Sequence, residues 1–242
     1  MRETVIVTGG SRGIGLETAL AFARNEYNVV ITCKSSVEEL KDAEAKIKTL
    51  GVDCISCICD GTDFERVLEV YNKVMGYFGR VDVLINNSGI AYFGLLQEMT
   101  NEHFDSIIKN NLYSVFNWSR QVIPEMVAMK KGKIINISSI WGEVGASCEV
   151  AYSASKGAVD SFTKALAKEL GPSNIQVNGV ALGVIETKMN DFVDLDVKEK
   201  LREEIPMGRF GTPKEIGEII CDLAKGKEYI TGQIIKVDGG FK

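Results

Sequence analysis

The sequence predicts a doubly wound α/β fold, with about seven parallel strands in one open sheet and helices on both faces. Apolar runs of strand length alternate with segments of helical period along the 242 residues. Most of those runs are continuously apolar rather than alternating, as strands buried on both faces are. The first run ends in glycines at the start of a helix, where sheets of this kind receive an anion.

Taken in order, Thr4–Thr8 is the first strand and Gly15–Asn25 the first helix. Strands Val29–Cys33 and Cys54–Cys59 flank a helix over Val37–Leu50. Helix Phe64–Phe78 leads to strand Val81–Asn86. A long helical stretch, Glu102–Met129, is interrupted near Asn110–Asn111 and precedes strand Lys133–Ser138. Helix Tyr152–Leu170, strand Gln176–Ala181, helix Lys214–Ala224 and strand Gln233–Val237 complete the order. The β-α-β-α succession is that of an open parallel sheet. No repeat, low-complexity tract or change of composition marks a linker, so residues 1–242 are expected to form a single domain. The least regular stretch, Ile185–Gly211, carries charges and Pro206. It is expected to be a mobile lid with a helix around Val197–Glu204.

Composition excludes several classes of function. Lysine and arginine number 28 against 33 acidic residues, a net charge of −5. That balance argues against nucleic acid as a partner. No apolar run approaches the ~18 residues of a membrane helix. The apolar core near the N-terminus is too short for a signal peptide, so a cytoplasmic protein without a membrane partner is expected. Its six cysteines then read as reduced thiols. His103 is the one histidine, which nearly removes histidine metal sites and Ser-His-Asp chemistry.

Thr8-Gly9-Gly10-Ser11-Arg12-Gly13-Ile14-Gly15 links the first strand to the first helix. Free N–H groups and a positive dipole end there suit a pyrophosphate. Gly9 permits the tight turn, while Gly13 and Gly15 let the backbone approach the anion. The strict G-x-G-x-x-G pattern fails, because Thr18 stands where the third glycine belongs. Gly9-Gly10-Ser11-Arg12-Gly13 also matches the G-x-S-x-G elbow of hydrolases. That chemistry would need His103, which lies in a polar helix start. Gly15-Leu16-Glu17 denies a P-loop. An NAD site usually closes its second strand with an acid; here Cys33 stands there, followed by Lys34. Lys34 and Arg12 would attract a 2′-phosphate, which points to NADPH/NADP+. The missing acid also argues against a methyltransferase.

Tyr152 and Lys156 are four residues apart on one helix face. A cation beside a phenol stabilises phenolate, so the Tyr152 pKa is expected to fall toward the working pH. Ser138-Ser139 end the fifth strand, where a serine hydroxyl hydrogen-bonds a carbonyl oxygen.

On these motifs the chain resembles the short-chain dehydrogenase/reductase family from end to end, and the resemblance implies a Rossmann-type fold. Thr8-Gly9 through Gly13 and Gly15 resembles that family's cofactor loop, here with Ser11, Arg12 and Ile14. Asp60, with Gly61, resembles the acid beside the adenine ring. Asn86-Asn87-Ser88-Gly89 resembles its Asn-Asn-Ala-Gly element. Asn111, Ser139, Tyr152 and Lys156 match the catalytic set, and Asn178 the asparagine of the next strand. Cys33, Lys34, Gly183, Ile185 and Thr187 complete the implied cofactor contacts. Tyr229-Ile230-Thr231-Gly232-Gln233 and Val237-Asp238-Gly239-Gly240 resemble the C-terminal element of bacterial 3-oxoacyl-(acyl-carrier-protein) reductases.

Leu182-Gly183 replaces the family's usual Pro-Gly, and Ala91-Tyr92-Phe93 stands where the fatty-acid reductases often carry Arg-Asp. Ser139 to Glu143 and Gly145 to Glu149 resemble bacterial reductases acting on a ketone-bearing lysine of elongation factor P. The resemblance implies NADPH-dependent reduction of a ketone, small or tethered to a carrier. The proton comes from Tyr152, Lys156 holds the nicotinamide ribose, and Asn111 relays protons through water. A tetramer is implied as well, with acyl-carrier protein or elongation factor P as protein partners. A dinucleotide sensor without turnover is the non-enzymatic alternative.

Cys54, Cys57 and Cys59 lie in a predicted strand that cannot gather three ligands round one metal. Lys130, Lys131 and Lys133 either steer an acidic carrier or complement a helix C-terminus. Trp141 and Glu149 flank the site and are read as lining the substrate pocket, with loop packing the alternative for Trp141.

Overall fold

The structure, a computed structural model, describes residues 2–187 and 195–242. The strands are β1 Thr4–Thr8, β2 Asn28–Cys33, β3 Cys54–Ile58, β4 Val83–Asn86, β5 Gly132–Ser139, β6 Ile175–Leu182 and β7 Ile234–Val237. They form one sheet in the order β3-β2-β1-β4-β5-β6-β7, and every pairing is parallel. The strand order reverses between β1 and β4, which opens a crevice at the carboxyl ends of the strands.

Helices α1 Gly13–Arg24, α2 Val37–Lys48 and α9 Pro213–Ala224 cover one face. Helices α3 Phe64–Phe78, α5 Ser114–Met129 and α7 Val150–Leu170 cover the other. Period-two alternation divides each strand between them. Val5, Val7 and Ile31 pack with Phe22 and Ile220. Ile6, Val30 and Leu84 pack with Trp118, Val122 and Met126 on the opposite side. Each such buried aliphatic side chain stabilises the fold by ~1.5–3 kcal/mol. The cysteines divide the same way, Cys54 of β3 to the first cluster, Cys57 of β3 and Cys59 just beyond it to the second.

The long helical stretch is interrupted as expected. Helix α4, Asn101–Ile108, passes through a π turn at Lys109–Tyr113 into α5. A π turn widens the backbone and is frequent at functional sites.

Helix α8, Leu195–Glu204, lies within the predicted lid, whereas residues 188–194 lie outside the described residues. The foot of the segment is anchored: Gly211 donates its N–H to Val184 O at 3.0 Å, and Glu186 N donates to Gly211 O at 2.9 Å. Ile205 and Phe210 are buried against Ile140 and Phe241. No helix among the described residues is long and apolar enough to cross a membrane.

Candidate active site

Every sequence-predicted site residue that follows a strand lies at the carboxyl edge of the sheet, since all strands point one way. The glycine loop follows β1, and Thr8 anchors it. The Thr8 hydroxyl accepts from Asn87 N at 2.9 Å and Ser88 N at 3.0 Å. Asn87 Nδ2 donates to Thr8 O at 2.9 Å and Gly9 O at 3.2 Å. Asn87 therefore ties the end of β4 to the loop after β1.

The glycines divide by role. Gly9 and Gly13 have φ of +65° and +55°. A Cβ at Gly13 would find only Thr187 Cγ2, at 3.9 Å, so the space above it is open. A Cβ at Gly15 would come within 2.1 Å of Gly9 O. Gly15 is thus demanded by the packing of the loop on its own helix, whatever approaches from outside.

Helices α3, α4 and α9 have side-chain caps, from Asp63, Thr100 and Thr212. Helix α1 has none and no acid in its first turn. Its free N–H groups, the open cradle at Gly13 and Ser11 beside them fit the pyrophosphate of a dinucleotide.

At the far end of β2, Cys33 is buried and donates its thiol to Ser36 O at 3.6 Å. Lys34 Nζ pairs with Asp60 Oδ2 at 2.7 Å, and Arg12 Nη1 with Glu39 Oε2 at 3.1 Å. Partial burial raises the Asp60 pKa, but hydrogen bonds from Lys34 and Thr62 outweigh it and leave the group below its ordinary value. Both cations read as phosphate-attracting therefore already carry a carboxylate partner. Gly61 packs against Ser114, and Asn117 Nδ2 fixes its carbonyl at 3.0 Å.

Tyr152 is half-buried on α7, and its hydroxyl is hydrogen-bonded to Ser139 at the end of β5. Ser139 Oγ also accepts from Trp141 N at 3.2 Å. Lys156, one turn on, is buried, donates Nζ to Ile137 O at 2.8 Å and lies 5.7 Å from the centre of the Tyr152 ring. Gly89 adjoins it; a Cβ there would stand 3.5 Å from Nζ.

The expected fall of the Tyr152 pKa is overturned. Burial pushes the phenol up to about 12, and the hydrogen bond with Ser139 offsets this only partly. The Glu149 carboxylate acts in the same direction as burial, so Tyr152 is a neutral phenol at pH 7. Burial brings Lys156 down to about 8, with Asp160 acting in the opposite direction.

Asn111 lies in the π turn and is buried. Its amide clasps Ile90, accepting from N at 2.8 Å and donating to O at 2.9 Å, and it also donates to Ser155 Oγ at 2.9 Å. Asn178 joins β6 to the segment leading into β7, donating to Ile230 O at 2.8 Å and accepting from Gln233 N at 3.1 Å. Gly183 N donates to Val237 O at 3.0 Å, and a Cβ at Gly183 would meet Asp238 Cα at 2.7 Å.

Sequence reasoning missed Ser155, Asp160 and the partners of Asn86, namely Asn136 and, through it, Thr163. Ser155 bridges Asn111 and Tyr152 O, to which it donates at 2.7 Å. Asn86 donates to Asn136 at 2.8 Å and Asn136 to Thr163 at 2.8 Å, a buried chain from β4 through β5 to α7. Asp160 lies one turn beyond Lys156, and the spacing 152-156-160 was its available signal.

Position bears on three readings. Lys133 lies at the opening of β5, about 20 Å from Ser139 at ~3.3 Å per residue, and Lys131 just precedes the strand. The basic run is therefore at the amino edge of the sheet, the edge opposite the glycine loop and Ser139. Trp141 packs on Phe241 with ring centres 5.9 Å apart, the loop-packing alternative. His103 is exposed and rests on Tyr92, ring centres 4.9 Å apart.

Residues 3–198 match the family model described as short chain dehydrogenase. The chain is 39% identical over 242 residues to the 3-oxoacyl-[acyl-carrier-protein] reductase FabG of Staphylococcus aureus strain Mu50, covering 100% of this chain and 98% of that protein. It is 40% identical over 240 residues to the Thermotoga maritima protein of the same name, covering 99% and 97%. It is also 37% identical over 246 residues to the uncharacterized oxidoreductase YmfI of Bacillus subtilis strain 168, covering 100% and 99%. A parallel sheet with its site at the carboxyl edge, a family model spanning most of the chain and full-length relatives at this identity agree: the protein belongs to the short-chain dehydrogenase family and is an oxidoreductase acting on CH–OH/C=O groups.

Proposed function

We propose that the protein is an NADPH-dependent reductase converting a ketone to a secondary alcohol, with a 3-oxoacyl group on acyl-carrier protein as substrate. The observation that carries the chemistry is the neutral Tyr152 phenol on Ser139 with the Lys156 ammonium beside its ring. The FabG relatives support the acyl substrate. Support for NADPH comes from Arg12 and Lys34 beside a second strand that ends in Cys33 rather than an acid.

A bound nicotinamide cofactor supplies the hydride. Gly9, Ser11, Arg12, Gly13, Ile14 and Gly15 hold its pyrophosphate side. Cys33, Lys34, Asp60 and Gly61 take the adenosine end, with Asn87, Ser88 and Gly89 between. Gly183, Ile185 and Thr187 take the nicotinamide end. Lys156 holds a ribose hydroxyl. Ser139 and Tyr152 receive the ketone oxygen between their hydroxyls. Tyr152 donates its proton as negative charge develops on that oxygen, and Ser139 donates a hydrogen bond to it. With its side-chain amide committed to Ile90 and Ser155, Asn111 serves the proton relay through its main-chain carbonyl. We place the enzyme in the cytoplasm as a single domain with 185–211 as its lid. We propose a homotetramer, in keeping with the exposed Phe104, Tyr113 and Phe116.

One observation favours a second substrate class. Glu149 is half-buried near Tyr152, and although it is the N-cap residue of α7 its side chain makes no cap hydrogen bond. Burial raises its pKa. An ammonium on the substrate would pair with it, as in an aminoketone on elongation factor P. The test measures NADPH and NADH oxidation with an acetoacetyl thioester and with a peptide-bound aminoketone. Faster turnover of the thioester supports the first reading. Preference for the aminoketone, abolished in Glu149→Gln, supports the second. Turnover with NADH at least equal to that with NADPH rejects the cofactor assignment.

A further inference from the structure

The helix row that carries Tyr152 and Lys156 continues to a carboxylate. Asp160 follows Lys156 by one turn on the same face of α7, and it is buried at 7% exposure. Its Oδ1 has no hydrogen-bond partner among the described residues. Its other oxygen lies against α6, Trp141–Val144, where a Cβ on Gly142 would stand 3.0 Å from Oδ2 and 2.8 Å from the carbonyl carbon of Lys156. Ser138 of β5 hydrogen-bonds the carboxylate, and its Oγ also lies 3.4 Å from Lys156 O. A carboxylate buried with half its acceptor capacity unfilled is costly unless a nearby cation compensates it.

The charges around it are few. Lys164, on its own helix, is exposed. Glu143 of α6 faces it but is paired with Lys236 of β7 at 2.9 Å. Lys156, the other neighbouring cation, is buried, and its Nζ donates to the neutral carbonyl of Ile137. Around Lys156 stand Tyr152 on α7, Ser139 on β5 and the neutral Asn111 of the π turn, with Glu149 facing Tyr152. Asp160 is the acid that acts on Lys156.

We propose that Asp160 is a positioning residue whose buried carboxylate, one turn beyond Lys156 on the same helix face, is the counter-charge that holds the buried Lys156 side chain as an ammonium. The row Tyr152, Lys156, Asp160 then alternates proton donor, cation and counter-charge along one helix face; burial raises the Asp160 pKa, and Ser138, Lys164 and Lys156 act against that rise. This rests on the assignment of Lys156 as the cation serving Tyr152.

The test is the pH profile of kcat/KM for ketone reduction by the full chain, with thermal unfolding alongside. In Asp160→Asn the alkaline limb is expected about one pH unit lower, the scale of a lost nearby opposite charge, with the acid-side plateau within about twofold of wild type. Asp160→Glu is expected to restore the limb. If Asp160→Asn does not fold, Asp160→Ser carries the same loss of charge and is read in the same way. A folded charge-loss variant with an unmoved limb, or with equal loss of rate at every pH, overturns the proposal while leaving the reductase assignment intact. Wild-type turnover in Lys156→Met overturns both.

Discussion

Lys156 Nζ lies 5.7 Å from the centre of the Tyr152 ring and donates to the carbonyl of Ile137, not to the phenol. The cation therefore acts on the phenol through space, while burial keeps Tyr152 protonated. Tyr152→Phe should keep the fold and NADPH binding and lose roughly 10²–10⁴-fold in turnover, the usual worth of a positioned general acid. Steady-state rates with cofactor titration by fluorescence check this. Near-normal turnover at every pH would remove Tyr152 from the mechanism.

Lys156 gives opposite signs for activity and stability. Its folded pKa, about 8, lies below the ordinary 10.5. Between those values the unfolded chain binds the extra proton, so stability from this group rises with pH across the window. Turnover should fall over the same window as the ammonium is lost. Urea unfolding of wild type and Lys156→Met at pH 7 and 9.5 tests the first sign. The gap between them should shift in favour of wild type at the higher pH.

Gly13→Ala and Gly15→Ala should fail differently. At Gly13 the left-handed backbone costs ~1–2 kcal/mol with a side chain, and the added methyl enters the open cradle. NADPH affinity should drop more than stability. At Gly15 the methyl collides with Gly9 O, so stability should fall by ~3 kcal/mol or more. Melting curves with and without NADPH separate the two.

Asn111→Ala strips three hydrogen bonds and leaves both main-chain groups of Ile90 unpaired. Stability should fall by about 2–4 kcal/mol. Denaturant titration reads this directly, and a change under ~0.5 kcal/mol would contradict the clasp.

Glu39 competes for Arg12 in an exposed pair, and such pairs are worth ~0–1 kcal/mol. Glu39→Gln should lower KM for NADPH up to about fivefold and leave KM for NADH unchanged. An equal change for both cofactors would show that Arg12 meets no 2′-phosphate.

Much of the site was legible because its signals are local. Continuous apolar runs marked the strands, and a parallel sheet sends all their following loops to one edge. Tyr152 and Lys156 were legible as an i, i+4 pair, and the break at Asn110–Asn111 stands as a π turn. Carboxylate partners such as Asp60 for Lys34 and Glu39 for Arg12 were not legible, because they come from other elements of the fold.

The sequence by itself determined the strands, the glycine turn and the helix row, since each depends on a period of two or 3.6 residues or on the conformational freedom of glycine. Only the tertiary structure decided what those groups do to one another. Arg12 and Lys34 acquired acids from α2 and from the turn after β3, because β1, β2 and β3 pair side by side. Tyr152 stayed protonated because the folded chain desolvates it and sets Glu149 near it, and the hydrogen bond with Ser139 offsets this only partly. Asp160 gained its place below the site because α6 lies flat on the turn at Lys156. Pairing and burial join residues far apart in the chain, and they exist only once the sheet order has brought those residues together.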